Sequence, residues 1–195
     1  FDAIVHAGIT HGKMALRLGA NFVNINCGKP IEDRSEFKKH ALQSAKGIKQ
    51  LAQEAADMGI LLTIEMPHRN GLVRTLDEAE FMMDAIGEEN VFYLIDSSHV
   101  LAGGEQPSRA IHRFRDRVAH VHLRDSIGEQ IFIVPGEGDV DFKAFFDALL
   151  DINYPGVCAL ELEGVANTIP ERHDCIRRSL DFLQTQTNEI TGIQC

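Results

Sequence analysis

Apolar runs of strand length alternate with stretches of helical period along almost the whole chain. The first run, Ala20-Asn21-Phe22-Val23-Asn24-Ile25-Asn26, stops at the breaker cluster Cys27-Gly28-Lys29-Pro30. From about Glu36 to Met58 the residues Phe37, Ala41, Leu42, Ala45, Ile48, Leu51, Ala52, Ala55 and Ala56 recur at helical spacing, and Gly59 stands where a helix stops. Ile60 to Glu65 and Val91 to Asp96 are apolar until their last residue, the form of parallel strands buried on both faces. Thr75-Leu76-Asp77-Glu78 offers a capping box for a helix to about Ile86, closed by Gly87. Further strands are expected at Arg117–Leu123 and Gly156–Glu161, and further helices near 1–19, 107–114, 142–152 and 170–185. A glycine-rich loop, Pro135-Gly136-Glu137-Gly138, separates the last two strands.

Repeated β-α order needs crossover connections, and so an α/β fold with a parallel sheet. Five strands spaced by roughly 34 residues extrapolate to about 270 residues for eight units, the size of a (β/α)8 TIM barrel. The 195 residues open at Phe1 without a methionine. The expectation is one barrel domain over 1–195, present as a C-terminal partial barrel of about five parallel strands and lacking its first three βα units.

Charge narrows the classes of partner. Nineteen Lys and Arg against 29 Asp and Glu give a net charge of −10, the wrong sign for a surface that tracks phosphates, so no nucleic-acid partner is expected. Neither a membrane-length apolar run nor a secretory leader is visible, which predicts a cytoplasmic protein without membrane contact. Cys27, Cys158, Cys175 and Cys195 show no CxxC pairing and are expected to be reduced, packed thiols.

Four consecutive strands end in, or near, a side chain able to bind a metal: Glu65, Asp96, His122 and Glu161. Active sites of parallel α/β folds form at that end, where loops vary and the sheet holds their roots. Carboxylates and an imidazole around one divalent cation would offset each other's desolvation, and the oxygen-rich donor mix suits Mn²⁺, Mg²⁺ or Co²⁺, with Zn²⁺ also open. His99 is expected on the loop leaving the Asp96 strand, and His120 shares the face of His122 one layer deeper. Arg124 reads either as a binding group or as a loop residue paired with Asp125. The stretch His68-Arg69-Asn70 with Arg74 reads either as an anion-binding loop or as a solvated basic one.

These residues sit in Ile64-Glu65-Met66-Pro67-His68, Asp96-Ser97-Ser98-His99, His122-Leu123-Arg124-Asp125, Pro135 to Phe142, and Tyr154-Pro155-Gly156 followed by Leu160-Glu161. Together they resemble the xylose isomerase-like barrel superfamily, and within it the sugar phosphate isomerase/epimerase group with its inosose dehydratases and ketose 3-epimerases. The likeness runs from about residue 15 to 185 and makes the visible strands family strands four to eight.

The resemblance implies one divalent metal ion held by Glu65, Asp96, His122 and Glu161. It also implies Glu65 and Glu161 as the groups that move protons, His99 and Arg124 as substrate-binding groups, and a small polyhydroxy carbonyl substrate. The implied activity is isomerisation or epimerisation through a metal-stabilised enediolate, with a lyase of the same superfamily as the alternative. A non-catalytic sugar- or partner-binding barrel is the alternative of another class, and a homo-oligomer is left open. Glu163 shares the face of Glu161 and is either its neighbour in the site or a solvated loop residue. Free-ketohexose epimerases carry a Glu and an Arg where this chain has Gly71 and Gly128, which argues against such a sugar. The related DNA-repair endonucleases have further metal ligands where this chain has Gln130-Ile131-Phe132-Ile133.

Overall fold

In the computed structural model the described backbone covers residues 2–191 and the described side chains 5–187. Two units divide the chain, Phe1–Leu94 and Ile95–Cys195.

The first unit holds helices α1 (Asp2–Arg17), α2 (Phe37–Asp57) and α3 (Leu76–Ile86), strands β1 (Phe22–Ile25) and β2 (Leu61–Glu65), and most of β3 (Val91–Asp96). β1 pairs in parallel with β2, and β2 with β3, in the registers Ile25↔Ile64 and Glu65↔Leu94. The long apolar period of α2 becomes a buried stripe of Phe37, Ala41, Ala45, Ile48, Leu51, Ala52 and Ala55. Gly59 adopts φ +71 after it and Gly87 φ +64 after α3, the left-handed positions where a Cβ would be strained. Only half of the expected capping box closes: Thr75 accepts the Glu78 N–H, while the Glu78 carboxylate turns to the N–H of Arg74 and to the side chain of Arg34.

The second unit contains α4 (Ser97–Ala102), α5 (Pro107–Phe114), β4 (Val118–Leu123), β5 (Asp125–Ile127), β6 (Gln130–Ile133), α6 (Phe142–Asp151), β7 (Cys158–Leu160) and α7 (Ile169–Thr191). β4 and β7 run parallel, with His122 opposite Ala159 and Leu123 opposite Leu160. Three features depart from the sequence expectation. Asp96 accepts the N–H groups of Ser98 and His99 as an N-cap, so the segment after β3 is a helix and His99 lies in its first turn, not on a loop. β5 and β6 form an antiparallel hairpin turned at Gly128 (φ +54), a pair too short for its alternation to be seen in the sequence. α7 runs past Thr185 to Thr191.

Cys27 and Cys175 are buried as expected, but Cys158 is exposed on β7, and Cys195 lies outside the described residues. Burial pushes the Cys27 thiol up to about 11. Among the described residues no helix is long and apolar enough to cross a membrane.

Candidate metal centre

Asp96, at the end of β3, is fully buried, and its carboxylate is bound on both oxygens. Oδ1 accepts from Ser98 N–H (2.8 Å), Ser98 Oγ (2.6 Å) and His99 N–H (3.0 Å). Oδ2 accepts from Arg124 Nη2 at 2.7 Å. Arg124 follows β4 and is itself only 2% exposed; its Nε donates to Ser98 Oγ at 3.0 Å, which closes a ring through Asp96. Ser97 holds the same segment from below, donating to the Arg124 carbonyl (2.6 Å) and accepting its N–H (3.1 Å). A buried, fully charged pair of this kind is tolerated because the hydrogen bonds replace the lost water.

Glu161, just past β7, joins the pair. Its Oε2 lies 3.1 Å from His122 Nδ1 and 3.1 Å from Arg124 Nη2. Neither contact is aligned as a hydrogen bond, so this buried oxygen keeps an unspent lone pair among the described residues. The His122 imidazole, against the opposing effect of burial and with help from the Arg124 charge, holds the Glu161 carboxyl down at about 2. Asp96, His122 and Glu161 each bring one ligand atom within 4.8 Å of the others. Two carboxylates and an imidazole around one guanidinium leave a net negative charge, so the donor set fits a divalent cation of the oxygen-preferring kind.

Neighbouring residues take clear places. Arg124 does not pair with Asp125, the alternative open in the sequence. Asp125 is buried and accepts four backbone N–H groups, from Ser126, Gly136, Gly138 and Val140. It thereby ties the glycine loop to the start of β5. Glu163 is 70% exposed and stands 3.8 Å from Arg124 Nη1, while the Phe132 ring of β6 covers the guanidinium at 5.7 Å. His120 packs edge-on against His122, ring centroids 5.2 Å apart, and burial followed by the His122 charge lowers its pKa. The sequence reading missed Ser97, Ser98 and Phe132. For the serines a signal existed, since Asp-Ser-Ser is an N-cap followed by short donors.

In the first unit Glu65 ends β2 and is 8% exposed. His68 has a ligand atom within 4.8 Å of it, yet His68 Nδ1 accepts the Asn70 N–H, which puts the ring proton on Nε2 and makes that nitrogen a donor. Arg74 Nε donates to the Gly71 carbonyl and so braces the 68–71 turn itself.

Residues 5–186 match the xylose isomerase-like TIM barrel family. The chain belongs to that family. Its parallel strands are five of the strands of a (β/α)8 barrel, as the β-α spacing predicted. An inosose dehydratase of Clostridium perfringens is 31% identical over 154 residues, 70% of this chain and 50% of the relative. One from Geobacillus kaustophilus is 28% identical over 135 residues, 60% of this chain and 44% of the relative. The chain thus spans about half the length of the curated relatives it matches. Among solved structures, a probable 3-DHS dehydratase of Bacillus anthracis superposes with a TM-score of 0.79 at 14% identity, covering 94% of this chain and 70% of the other. A 3-keto-D-glucoside 4-epimerase from E. coli gives 0.73 at 22% identity, covering 89% and 67%. The family is one of enzymes; the curated relatives are named inosose dehydratases, and the two solved structures, below 25% identity, show the fold.

Proposed function

We propose that this chain carries the metal-binding side of a divalent-metal-dependent dehydratase acting on a ring ketone of the inosose type. The observation that carries it is Glu161: a half-buried carboxylate whose buried Oε2 keeps an unspent lone pair, set between His122 and Arg124 and beside Asp96. Sequence motifs alone put isomerisation or epimerisation first and the lyase second. The curated relatives near 30% identity favour the lyase, whereas the epimerase likenesses lie below 25% and speak for the fold.

Glu65, Asp96, His122 and Glu161 are the proposed ligands of one cation. Bound there, a divalent ion would draw electron density from the ketone oxygen and acidify the adjacent C–H. Of the two carboxylates assigned to proton transfer, Glu161, placed against His122 and Arg124, is assigned to holding the cation and Glu65 to taking the α-proton. His99 and Arg124 donate to hydroxyl and carbonyl oxygens. The electron pair of the broken α-C–H bond forms a C=C bond as the β-C–O bond breaks, and the hydroxyl leaves with the proton as water, with no net oxidation or reduction.

The test is incubation of the protein with Mn²⁺ and a keto-inositol in deuterated water. Loss of water with a new enolised dicarbonyl absorbance is the expected result. Exchange of the α-hydrogen, or a new isomer, without loss of water would overturn the lyase in favour of isomerisation. No metal binding on titration, with Glu65→Gln changing nothing, would leave a binding barrel.

A further inference from the structure

A cavity of about 440 Å³ lies wholly within the first unit, between α1, α2 and the segment 26–31 that follows β1. None of the proposed cation ligands lines it. Its α2 wall is one helical face, His40, Gln43, Ser44, Gly47 and Ile48, recurring at spacings of three and four. Gly47, in the middle of α2 where glycine is a poor helix former, leaves that wall without a side chain at its centre. Ser44 Oγ donates to the Cys27 carbonyl, and the Gly28 carbonyl accepts the Leu72 N–H at 3.0 Å, so the facing segment is fastened to α2 and to Leu72. Gly28, at φ +135, passes so close to Leu72 that a Cβ would stand 3.3 Å from its side chain. The room is formed by the fold before any ligand arrives.

We propose that this cavity is a site for a small carboxylate with an apolar body. The walls supply both halves. Val5, Ile31, Ile48 and Leu72 offer apolar surface, while the exposed side chains of Asn26, Lys29, His40 and Gln43 bring hydrogen-bond donors to the rim. Those of Asn26, Lys29 and Gln43 have no hydrogen-bond or ion-pair partner among the described residues, so a ligand displaces only water from them. No Asp or Glu lines the cavity, in a chain that carries 29 of them. Glu36, one turn before His40, has its carboxylate paired with Lys39. The one permanent positive charge, on Lys29, matches the single charge of a carboxylate rather than the near-double charge of a phosphate.

The test is a titration of the full chain, labelled at its Ile and Leu methyls and followed by NMR, with 3-phenylpropionate and with its uncharged isostere 3-phenylpropionamide. The carboxylate is expected to bind at about 1 mM or tighter, to shift the methyls of Ile31, Ile48 and Leu72, and to bind about 3- to 10-fold more tightly than the amide. Lys29→Gln, a change at an exposed position, should remove most of that preference and leave amide binding as it was. Gly47→Leu should fill the cavity and weaken both ligands by more than about 10-fold, with helix content kept because leucine favours a helix over glycine. No binding of the carboxylate at about 10 mM, equal binding of the amide, or a preference that survives Lys29→Gln overturns the proposal. So do shifts confined to Leu149, Leu180 and Leu183, which would move the ligand to the apolar cleft between α6 and α7. None of these outcomes bears on the dehydratase reading, whose test is separate.

Discussion

The carboxylate of Asp125 occupies the space that a Cβ at Gly138 would need. A side chain built at 138 would run into Asp125 Oδ1, with Cγ 2.6 Å away and the Ser126 carbonyl also 2.6 Å away. In return, the Gly138 N–H donates to Asp125 at 3.0 Å, so loop and carboxylate define one another.

Asp125→Asn turns an NH₂ toward backbone donors and breaks two of four charge-assisted bonds. It should lower unfolding free energy by about 3 kcal/mol or more, read by urea denaturation. Gly138→Ala should cost about 2 kcal/mol or more by displacing the same carboxylate. Wild-type midpoints for both variants would dissolve the clamp.

Removing the Arg124 guanidinium leaves Asp96 buried with its charge uncompensated on Oδ2. Arg124→Met should therefore cost about 3 to 5 kcal/mol, and adding Asp96→Asn should recover part of that loss, as a double-mutant cycle would show.

Glu161 is held at about 2 from an ordinary 4.5. A lowered carboxyl contributes stability that is fully present above the ordinary value and is lost as pH falls through the folded one. Thermal midpoints measured between pH 5 and pH 2 should drop more steeply for the wild type than for Glu161→Gln; parallel curves would show that the contact with His122 does not hold the carboxyl down.

Substituting any of Glu65, Asp96, His122 or Glu161 by alanine should weaken Mn²⁺ binding by at least about 10- to 100-fold, the scale already seen for outer-sphere partners. With the ion at about 100 times its dissociation constant, the wild type should gain about 2.7 kcal/mol, and EDTA should reverse that gain. An unchanged affinity on removal of one residue strikes that residue from the ligand set.

Alkylation should separate the thiols. Burial pushes both thiols up to about 11, so access alone separates them: Cys158 is exposed, whereas Cys27 is buried. Peptide mapping after brief maleimide treatment at pH 7 should find Cys158 modified well before Cys27.

Local sequence determined what depends on periodicity and on neighbours a few residues away. The alternation of apolar runs and helical stripes set the β-α order, and with it the placing of Glu65, Asp96, His122 and Glu161 at strand ends. Thr75 and Gly87 marked the ends of α3 because capping is a local hydrogen-bond requirement. Choice of partner was decided only by the tertiary structure. Arg124 lies next to Asp125 in sequence, yet it pairs with Asp96, 28 residues earlier, while Asp125 turns to N–H groups 11 to 15 residues later. The reason is burial. Once both carboxylates leave water each must be satisfied in full, and backbone donors of the glycine loop fit one while the guanidinium fork fits the other. The segment after β3 is likewise a helix rather than a loop, and its first turn presents the N–H groups of Ser98 and His99 together to the buried Oδ1 of Asp96.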